Sequence, residues 1–591
     1  MLFLRWVLNL FLILSLLSMS SENIAPATAL APVCSEADRA SLLSFKARIF
    51  QDTTNILSSW TGTDCCDGGW EGIQCNPTTG RVTGLQLQRN DQDSGIYMMG
   101  TLSPSLGNLQ FLEVMVISGM KHITGTIPES FSNLAHLTQL VLEDNFLEGN
   151  IPSGFSHLSQ LQVLTLGGNH LRGQIPPALG SFKNLRHILL SRNFLTGPFP
   201  LTFRSLENLQ YLDLSNNLLS GPIPDFVGQF KNLTFLDLSN NQFTGEIPAS
   251  LFSLVNLLDL SLSHNKLTGN IPDQIGSLIS LTTLQFSANK LTGHVPLSIS
   301  RLQNLWYLNL SRNGFSDPLP DTLDQGIHSL LSVDLSYNNL NLGTVPNWIR
   351  SKQLSDVHLA GCKLKGTLPT FEKPDSLSSI DLSDNYFTDG ISNFFTNMSS
   401  LQKVNLANNQ LKSDISEIEF PAGLSSIDLN SNQLVGSLSR IINNRTSSFL
   451  EVFDVSRNQI SGGIPELNRG MNLKVLNIAG NKISGHIPDS ISILIELERL
   501  DISRNHITGT IPSNLGQLSK LQWLDLSMNG LTGGIPNSLL QIAGLRHASF
   551  RVNMLCGEIP QGRPINIFPP ATYAHNRCLC GKPLPPCRSK K

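Results

Sequence analysis

A 24-residue pattern that recurs along most of the chain constrains its fold more than any other feature. The stretch from Leu209 to Asn232 reads LQYLDLSNNLLSGPIPDFVGQFKN, and the same pattern starts again at Leu233 and at Leu257. A fixed period of about 20–50 residues is typical of solenoids, in which each repeat buries its apolar side chains against its neighbours. The sequence therefore predicts an α/β repeat solenoid.

An asparagine at the same position of each repeat allows the repeats to be counted. From Asn145 to Asn553 it recurs about every 24 residues, and Cys362 takes its place once. Two degenerate repeats precede this series, around Leu85 and Met115. We therefore expect about 20 repeats.

Each part of the pattern has a physical role. In the Leu-x-Leu segment the leucines should point into the core and the residue between them outward, because side chains alternate along a strand. The amide of the following Asn can donate and accept hydrogen bonds for backbone groups of adjacent repeats. Cys362 in this position is interpreted as a buried structural cysteine rather than a redox or intermolecular one.

The N-terminus predicts export from the cytoplasm. Arg5 precedes an apolar run from Trp6 to Leu17, and small and polar residues follow. A run of about 12 residues is too short to span a bilayer, so a signal peptide at 1–21 is favoured over a short membrane anchor. Cleavage could occur as late as residue 31. The chain contains 41 basic and 44 acidic residues, which favours neither nucleic acid nor an anionic membrane surface as a partner.

The cysteines are concentrated at the two ends of the chain. Four lie before the repeats and four after them, and each set allows three disulfide pairings. In an oxidising compartment they should staple caps over the terminal repeats. A zinc site is disfavoured, because no CxxC pair with zinc-site spacing is present. The two sets are Cys34, Cys65, Cys66 and Cys75, and Cys556, Cys578, Cys580 and Cys587.

The segment 34–80 carries a specific resemblance. Apolar residues following Asp38 predict a short helix extending towards Ile49. The elements ASLLSFK, LSSW, DCC and TGRV occur in this order, and the segment resembles the N-terminal cap of plant extracellular leucine-rich repeat proteins. These include receptor-like kinases, receptor-like proteins, polygalacturonase inhibitors and the secreted DNA-damage-repair/toleration group. The resemblance implies the pairs Cys34–Cys65 and Cys66–Cys75.

The repeats at 81–555 and the segment 556–591 extend this resemblance. The LxGxIP half of each repeat is similar to the plant type, which implies a second short sheet and a right-handed superhelix. The stretch LCGKPLPPC resembles the C-terminal cap and implies the pairs Cys556–Cys578 and Cys580–Cys587. Because the sequence stops at Lys591 without a lipid-anchor signal, we expect a secreted protein rather than a truncated receptor ectodomain.

No catalytic, cofactor or metal motif is evident, so we expect no enzyme activity, no cofactor and no metal. Aspartates recur at the outward position between the two leucines, where a solvated, Ser-bonded ladder is favoured over a glycosidase carboxylate pair. Arginines in the following turns should partly neutralise it. The aspartates are Asp213, Asp237, Asp334, Asp381, Asp428, Asp454, Asp501 and Asp525; the arginines are Arg192, Arg312, Arg457 and Arg504.

Outward aromatic residues suggest where a ligand binds. Exposed rings on a rigid sheet are typical binding anchors, so we place part of a ligand site between Tyr211 and Arg312. The predicted site residues are Tyr211, Asp213, Phe235, Asp237, Trp306, Tyr307 and Arg312.

Four N-glycosylation sequons are present, at Asn232, Asn309, Asn397 and Asn444. Asn309 lies between two core leucines and should face the ligand-binding side of the sheet. A glycan at Asn309 would therefore compete with the predicted site.

These features predict a secreted leucine-rich repeat protein of the apoplast or cell wall. It would bind an extracellular peptide or protein in receptor-type signalling or defence, with a membrane receptor kinase as a candidate partner and no membrane span of its own. The alternative is an inhibitor of cell-wall-degrading enzymes such as polygalacturonases, although inhibitors of that family have about half as many repeats.

Overall fold

The computed structural model of the chain describes residues 33–88, 95–316, 319–320, 323, 326–440 and 449–587. The predicted signal peptide at 1–21 and the sequon asparagine Asn444 lie outside these residues.

One long sheet, here called the main sheet, receives a strand from every repeat. Twenty parallel strands pair in chain order, which confirms the expected repeat number. An antiparallel strand, Ile73–Cys75, precedes them. Among the described residues, the first and last strands have one neighbour each, so the sheet is open. The parallel strands are Val82–Gln88, Val114–Ser118, Gln139–Val141, Val163–Thr165, His187–Leu189, Tyr211–Asp213, Phe235–Asp237, Asp259–Ser261, Thr283–Gln285, Tyr307–Asn309, Ser332–Asp334, Asp356–His358, Ser379–Asp381, Lys403–Asn405, Ser426–Asp428, Val452–Asp454, Val475–Asn477, Arg499–Asp501, Trp523–Asp525 and His547–Ser549.

A second sheet is formed by one strand of the N-terminal cap and by the LxGxIP halves of the repeats in the N-terminal part of the chain, as the resemblance implies. Its strands are Ile49–Asp52, Met98–Thr101, Lys121–Thr126, Phe146–Gly149, His170–Gln174, Phe194–Pro198, Leu218–Pro222, Gln242–Glu246 and Lys266–Thr268. Three strand pairs are separate from it: Thr292–His294 with Gly314–Ser316, Lys365–Thr367 with Tyr386–Asp389, and Cys556–Glu558 with Cys578–Cys580.

The helices are short. The α-helices are Glu36–Lys46, Asn347–Ser351 and Ile391–Phe394. The 3₁₀ helices are Ile56–Ser59, Pro104–Asn108, Glu129–Asn133, Ser153–His157, Pro177–Ser181, Leu201–Ser205, Asp225–Gln229, Ala249–Ser253, Asp273–Ser277, Leu297–Arg301, Pro374–Ser376, Ile415–Glu417, Leu438–Arg440, Asp489–Ile493, Ser513–Gln517, Asn537–Gln541, Ile565–Ile567 and Pro570–Tyr573. Within the described part of the chain, no helix has the length and apolar character needed to cross a membrane.

The core is a continuous column of apolar side chains, one layer per repeat. Leu212 and Leu214 are fully buried, whereas Asp213 between them is only half-buried. Ile223 of the IP motif is also buried. The predicted alternation of the Leu-x-Leu segment is therefore confirmed, and one face of the main sheet is left open to solvent.

The asparagines form a ladder that ties neighbouring repeats together. The Nδ2 atom of Asn193 donates to the carbonyl oxygens of Leu190 and Ser191 in its own turn, at 3.2 Å. It also donates to the carbonyl oxygen of Leu166 in the preceding repeat, at 3.0 Å. The Oδ1 atom accepts from the backbone N–H of Leu171 at 2.9 Å. The same contacts recur along the chain, which confirms the predicted role of this residue.

Cys362 occupies the ladder position in its repeat, as predicted. Its Sγ atom is fully buried and lies 3.5 Å from the carbonyl oxygen of Leu335 and 3.7 Å from that of Ala360. These two carbonyl groups correspond to those that an asparagine would contact. Cys362 therefore fills the structural position of the ladder.

The N-terminal cap contains the predicted helix, but it ends earlier than the apolar spacing suggested. The helix Glu36–Lys46 stops three residues before Ile49, which begins a strand of the second sheet. Asp38 on this helix is fully buried and accepts from Arg81 Nε and Nη2, both at 2.8 Å, and from the backbone N–H of Val82 at 3.0 Å.

Disulfides close both caps with the pairing that the resemblance implies. They join Cys34 to Cys65, Cys66 to Cys75, Cys556 to Cys578, and Cys580 to Cys587. The sulfur atoms of the first three cysteines lie close together, but they are consumed by the two adjacent disulfides rather than available as thiolate ligands.

Candidate functional site

Two of the predicted aromatic residues form a stacked pair on the open face of the main sheet. Tyr211 and Phe235 lie directly opposite each other on adjacent strands, with ring centroids 4.0 Å apart and ring planes within 1° of parallel. Both side chains are half-buried. Asp213 and Asp237 occupy the paired positions two residues later on the same face. The structure therefore places these four residues in one cluster.

The other predicted residues lie further along the sheet. Two strands separate Phe235 from Tyr307. Trp306 is 45% exposed, and its ring centroid lies 5.7 Å from that of Tyr307. The Arg312 guanidinium lies over the ring of Tyr337, 4.6 Å from its centroid. The predicted residues thus form two groups rather than one.

Two residues that were not predicted connect these groups. Asp259 and Thr283 occupy the intervening strands at the position of Tyr211, Phe235 and Tyr307, and we call these five residues the central row. Alignment of the repeats would have revealed them, since they share the place directly before the Leu-x-Leu segment. Thr283 is only 7% exposed, and its hydroxyl has no hydrogen-bond partner within the described residues.

The outward aspartates bind their own strands. Asp213 Oδ1 accepts from the backbone N–H of Ser215 at 2.9 Å, and Asp237 Oδ1 accepts from that of Ser239 at 2.8 Å. The predicted serine bonding is confirmed at these positions. The prediction of a solvated ladder is wrong for Asp237 and Asp501, which are only 3% and 8% exposed, because neighbouring side chains on the sheet cover them.

Burial makes this part of the sheet electrostatically unusual. It raises the pKa of Asp213, an effect that hydrogen bonds from Ser215 and Ser191 partly oppose. Burial, followed by the charge of Asp213, raises the pKa of Asp237 to about 6. Burial also raises the pKa of Asp259. A cationic ligand group would favour the ionised form of all three carboxylates.

The four arginines do not neutralise the aspartates directly. Arg192 instead forms an ion pair with Asp144 at 2.7 Å. Its charge lowers the pKa of Asp213 less than the hydrogen bonds from Ser215 and Ser191 do. Arg312 packs on Tyr337. In the described ranges, none of the four guanidinium groups forms an ion pair with the aspartate ladder.

The raised pKa of Asp237 predicts a pH-dependent stability. Its ordinary value is about 3.9, so protonation favours the folded state. This contribution is fully present below about pH 4 and is lost as the pH rises through about 6. Asp237→Asn should therefore raise the free energy of unfolding by about 2 kcal/mol at pH 7 and change it little at pH 4.

Chemical denaturation of the two proteins at both pH values measures this difference. Asp225→Asn, at an exposed aspartate that begins the preceding 3₁₀ helix, is the matched control and should have no effect at either pH. An equal change at pH 4 and pH 7 for Asp237→Asn would contradict the assignment of the effect to ionisation.

The sequons differ in their surroundings. Asn232 and Asn397 are exposed. Asn309 is half-buried on the open face, and its Oδ1 atom accepts from the backbone N–H and the hydroxyl of Ser311 at 3.0 and 2.7 Å. A glycan on Asn309 would stand beside Tyr307 and so restrict access to that end of the central row.

A column of rings on the second sheet was not predicted. The centroids of consecutive rings are 4.6 to 5.9 Å apart, and Phe146 and Phe194 are 47% and 45% exposed. Most of these residues directly follow a ladder position, a signal that was visible in the sequence. The rings belong to Tyr97, His122, Phe146, His170 and Phe194.

Comparison with protein families agrees with this architecture. The leucine-rich repeat region family matches residues 169–384, the leucine rich repeat N-terminal domain matches 35–76, and the leucine rich repeat matches 111–171 and 471–531. With the open sheet and the capped ends, these matches define a leucine-rich repeat solenoid with an N-terminal cap domain. The chain is a leucine-rich repeat protein, and it is similar to plant extracellular members of that group.

Two curated relatives match part of the chain. The DNA damage-repair/toleration protein DRT100 of Arabidopsis thaliana is 37% identical over 121 residues, which are 19% of this chain and 32% of that protein. A polygalacturonase inhibitor of Vitis vinifera is 32% identical over 135 residues, 23% of this chain and 38% of the inhibitor. The chain thus spans about a third of the length of these relatives.

Two solved structures are similar over most of the chain. The ectodomain of the Arabidopsis thaliana receptor kinase GASSHO1/SCHENGEN3, in complex with CASPARIAN STRIP INTEGRITY FACTOR 2, has a TM-score of 0.69 at 29% identity and covers 88% of this chain and 71% of that one. The ectodomain of the Arabidopsis receptor kinase HAESA, in complex with an IDA peptide hormone ligand, has a TM-score of 0.57 at 28% identity and covers 92% and 98%.

Proposed function

We propose that this protein is a secreted recognition protein of the apoplast or cell wall that binds a peptide or protein ligand without catalysing a reaction. Its role would be in receptor-type signalling or defence. The similar receptor ectodomains, one of them solved with a peptide hormone, support ligand binding by this fold. A membrane receptor kinase is the proposed partner in such a complex.

The observation that carries the proposal is the aromatic and acidic surface around the central row. The Tyr211–Phe235 stack offers a flat apolar platform, and Asp213, Asp237 and Asp259 lie beside it on the same or the next strand. A guanidinium or ammonium group is attracted both by a ring face and by carboxylates. The surface is therefore suited to a basic side chain of the ligand.

A second candidate function is inhibition of a secreted cell-wall-degrading enzyme. The similarity to the polygalacturonase inhibitor of Vitis vinifera favours it. This candidate predicts that the purified protein lowers the activity of a polygalacturonase, whereas the first predicts recovery of a peptide or receptor kinase.

The test begins with the full-length, tagged protein, expressed in a plant and glycosylated. It is used to capture partners from cell-wall and plasma-membrane extracts, which are then identified by mass spectrometry. Recovery of a receptor kinase or peptide supports signalling. Recovery of a wall hydrolase alone, together with its inhibition, would overturn signalling in favour of the second candidate.

Removing the aromatic platform should weaken binding of the recovered ligand. We expect Tyr211→Ala combined with Phe235→Ala to reduce affinity at least tenfold, because buried aromatic anchors carry much of the energy of such interfaces. Titration calorimetry with the recovered ligand measures the change. Phe146→Ala, which removes an exposed ring from the second sheet, serves as the control and should bind normally. Unaltered affinity of the double variant would rule out the central row as part of the site.

A further inference from the structure

A second polar site lies near the C-terminal end of the main sheet, well separated from the central row. It is an open hollow of about 370 Å³ on the same face of the sheet. The residues that line it include Asp454, Arg457, Gly480, Asp501, Arg504 and Asp525.

The hollow exists because one repeat carries small side chains where its neighbours carry large ones. Gly480 occupies the left-handed turn position, with φ of 66°, and the same position holds Arg457 in the preceding repeat and Arg504 in the following one. A Cβ atom on Gly480 would stand 3.5 Å from Arg457 Cγ, so the Arg457 side chain borders the gap. Two repeats place the arginine backbones roughly 10 Å apart. The gap is therefore flanked by two cations.

Neither of these arginines has a direct ion-pair partner. Among the described residues, the side chains of Arg457 and Arg504 form no ion pair and no hydrogen bond. Elsewhere on the chain the corresponding arginines are engaged, as Arg192 pairs with Asp144 and Arg312 packs on Tyr337. Arg457 and Arg504 thus keep their donor capacity for an external anion.

The carboxylates on the floor of the hollow are engaged with other groups. Asp454 accepts from the hydroxyl of Ser456 at 2.6 Å through Oδ1 and from Asn477 Nδ2 at 2.7 Å through Oδ2. Asp501 accepts from the hydroxyl of Ser503 at 2.7 Å. The floor nevertheless remains acidic, which disfavours a doubly charged anion such as phosphate.

A third arginine of this region is occupied. The Arg499 guanidinium lies 4.7 Å from the ring centroid of Trp523 and 3.8 Å from Asp501 Oδ2. The Trp523 ring in turn stacks on His547 at 3.6 Å. These contacts place Arg499, Trp523 and His547 side by side at the edge of the hollow. The Arg457 and Arg504 guanidinium groups are therefore the ones available to bind an anion.

We propose that the Arg457–Arg504 hollow binds the carboxylate of an aspartate or glutamate side chain within an extended segment of the ligand. A guanidinium group pairs with a carboxylate through two parallel hydrogen bonds, and a singly charged anion is repelled less by the acidic floor than a doubly charged one. Backbone N–H groups of the bound segment can donate to Asp525 Oδ2. Because the sheet continues on both sides of the hollow, the ligand chain can continue in both directions. This inference rests on the proposed function, since it names a second contact of the same ligand.

The test uses the full-length glycosylated protein and three small probes. Acetyl-Gly-Asp-Gly-amide carries the side-chain carboxylate, acetyl-Gly-Asn-Gly-amide is its neutral analogue, and acetyl-Gly-Gly-Gly carries only a chain-terminal carboxylate. Binding is measured by saturation-transfer NMR titration. We expect the aspartate probe to bind with a Kd on the order of 1 mM and the other two at least tenfold more weakly.

Variants locate the binding. Arg457→Gln combined with Arg504→Gln should weaken the binding of the aspartate probe at least tenfold. Gly480→Asn, which fills the gap, should weaken it to the same degree. Asparagine folds in this left-handed position elsewhere in the chain, at Asn216 and Asn240. Arg551→Gln, at an exposed arginine of the last repeat, is the control and should bind normally.

Four results would overturn the proposal. The aspartate and asparagine probes bind equally, or the probe with the chain-terminal carboxylate binds more tightly than the aspartate probe. The aspartate probe does not bind up to about 10 mM, or the double arginine variant binds it as tightly as the wild type does. The Tyr211→Ala/Phe235→Ala variant should still bind the aspartate probe. If the aspartate probe does not bind while the recovered ligand still binds the wild-type protein, this inference is wrong and the proposed function stands.

Discussion

Replacing Asp38 by alanine is expected to destabilise the N-terminal cap by about 3 kcal/mol. The carboxylate is fully buried and accepts two hydrogen bonds from Arg81 and one from the backbone of Val82. Its removal leaves the Arg81 guanidinium and the buried N–H group of Val82 without their partner, and this is costlier than the loss of an exposed ion pair. The Arg81 side chain keeps some access to solvent, so the effect should lie at the lower end of the range for buried pairs.

Hydrogen exchange of the helix Glu36–Lys46 measures this effect directly. The disulfides keep the cap covalently attached, so local opening is more informative than global unfolding. Glu36→Ala, which removes an exposed carboxylate from the same helical turn, is the control and should cost about 0.5 kcal/mol or less. Adding Arg81→Ala to Asp38→Ala should cost less than the sum of the two single changes. Additive losses would show that the two side chains do not act as a pair.

The second large effect is expected for the asparagine ladder. Asn217→Ala should lower the free energy of unfolding by about 3 kcal/mol, because Asn217 is buried and serves four backbone groups. It donates to the carbonyl oxygens of Leu190, Leu214 and Ser215 at 3.0 to 3.2 Å. It also accepts from the N–H of Leu195 at 3.0 Å. Alanine replaces none of these bonds.

Chemical denaturation gives the total loss, and exchange of the Leu195 amide locates it. Because repeats contact only their neighbours, faster exchange should be confined to the repeats next to Asn217. Asn208→Ala is the matched control: its Nδ2 atom donates to the carbonyl oxygen of Lys183 at 2.8 Å on the exposed surface, and its loss should cost about 0.5 kcal/mol. A similar loss for the two variants would contradict the role assigned to burial.

The fold could be predicted well from the sequence because every repeat carries the same local pattern of core, turn and hydrogen-bonding residues. The Leu-x-Leu segment, the Asn and the IP motif recur at a fixed spacing, so about 20 parallel strands follow without knowledge of long-range contacts. The cap helix was predicted too long, since apolar spacing cannot distinguish a helix end from the strand that begins at Ile49. The buried Asp38–Arg81 pair was missed because its partners are far apart in the chain.

The candidate site was predicted only in part. The outward direction of Tyr211, Phe235 and Asp213 follows from their places in the repeat. Their degree of burial does not, because it depends on the size of the side chains in the repeats on either side. The same dependence explains why Asp237 is buried and has a raised pKa, and why Arg457 borders a gap created by Gly480.

Repeat number, strand register and the inward or outward direction of each side chain could therefore be derived from the residues alone, since each is a property of one repeat and its period. The stacking of Tyr211 on Phe235, the pairing of Arg192 with Asp144 and the free donors of Arg457 and Arg504 were decided by the tertiary structure. These features depend on which side chains meet across neighbouring strands at a spacing of about 4.8 Å, and on whether small residues leave room between them.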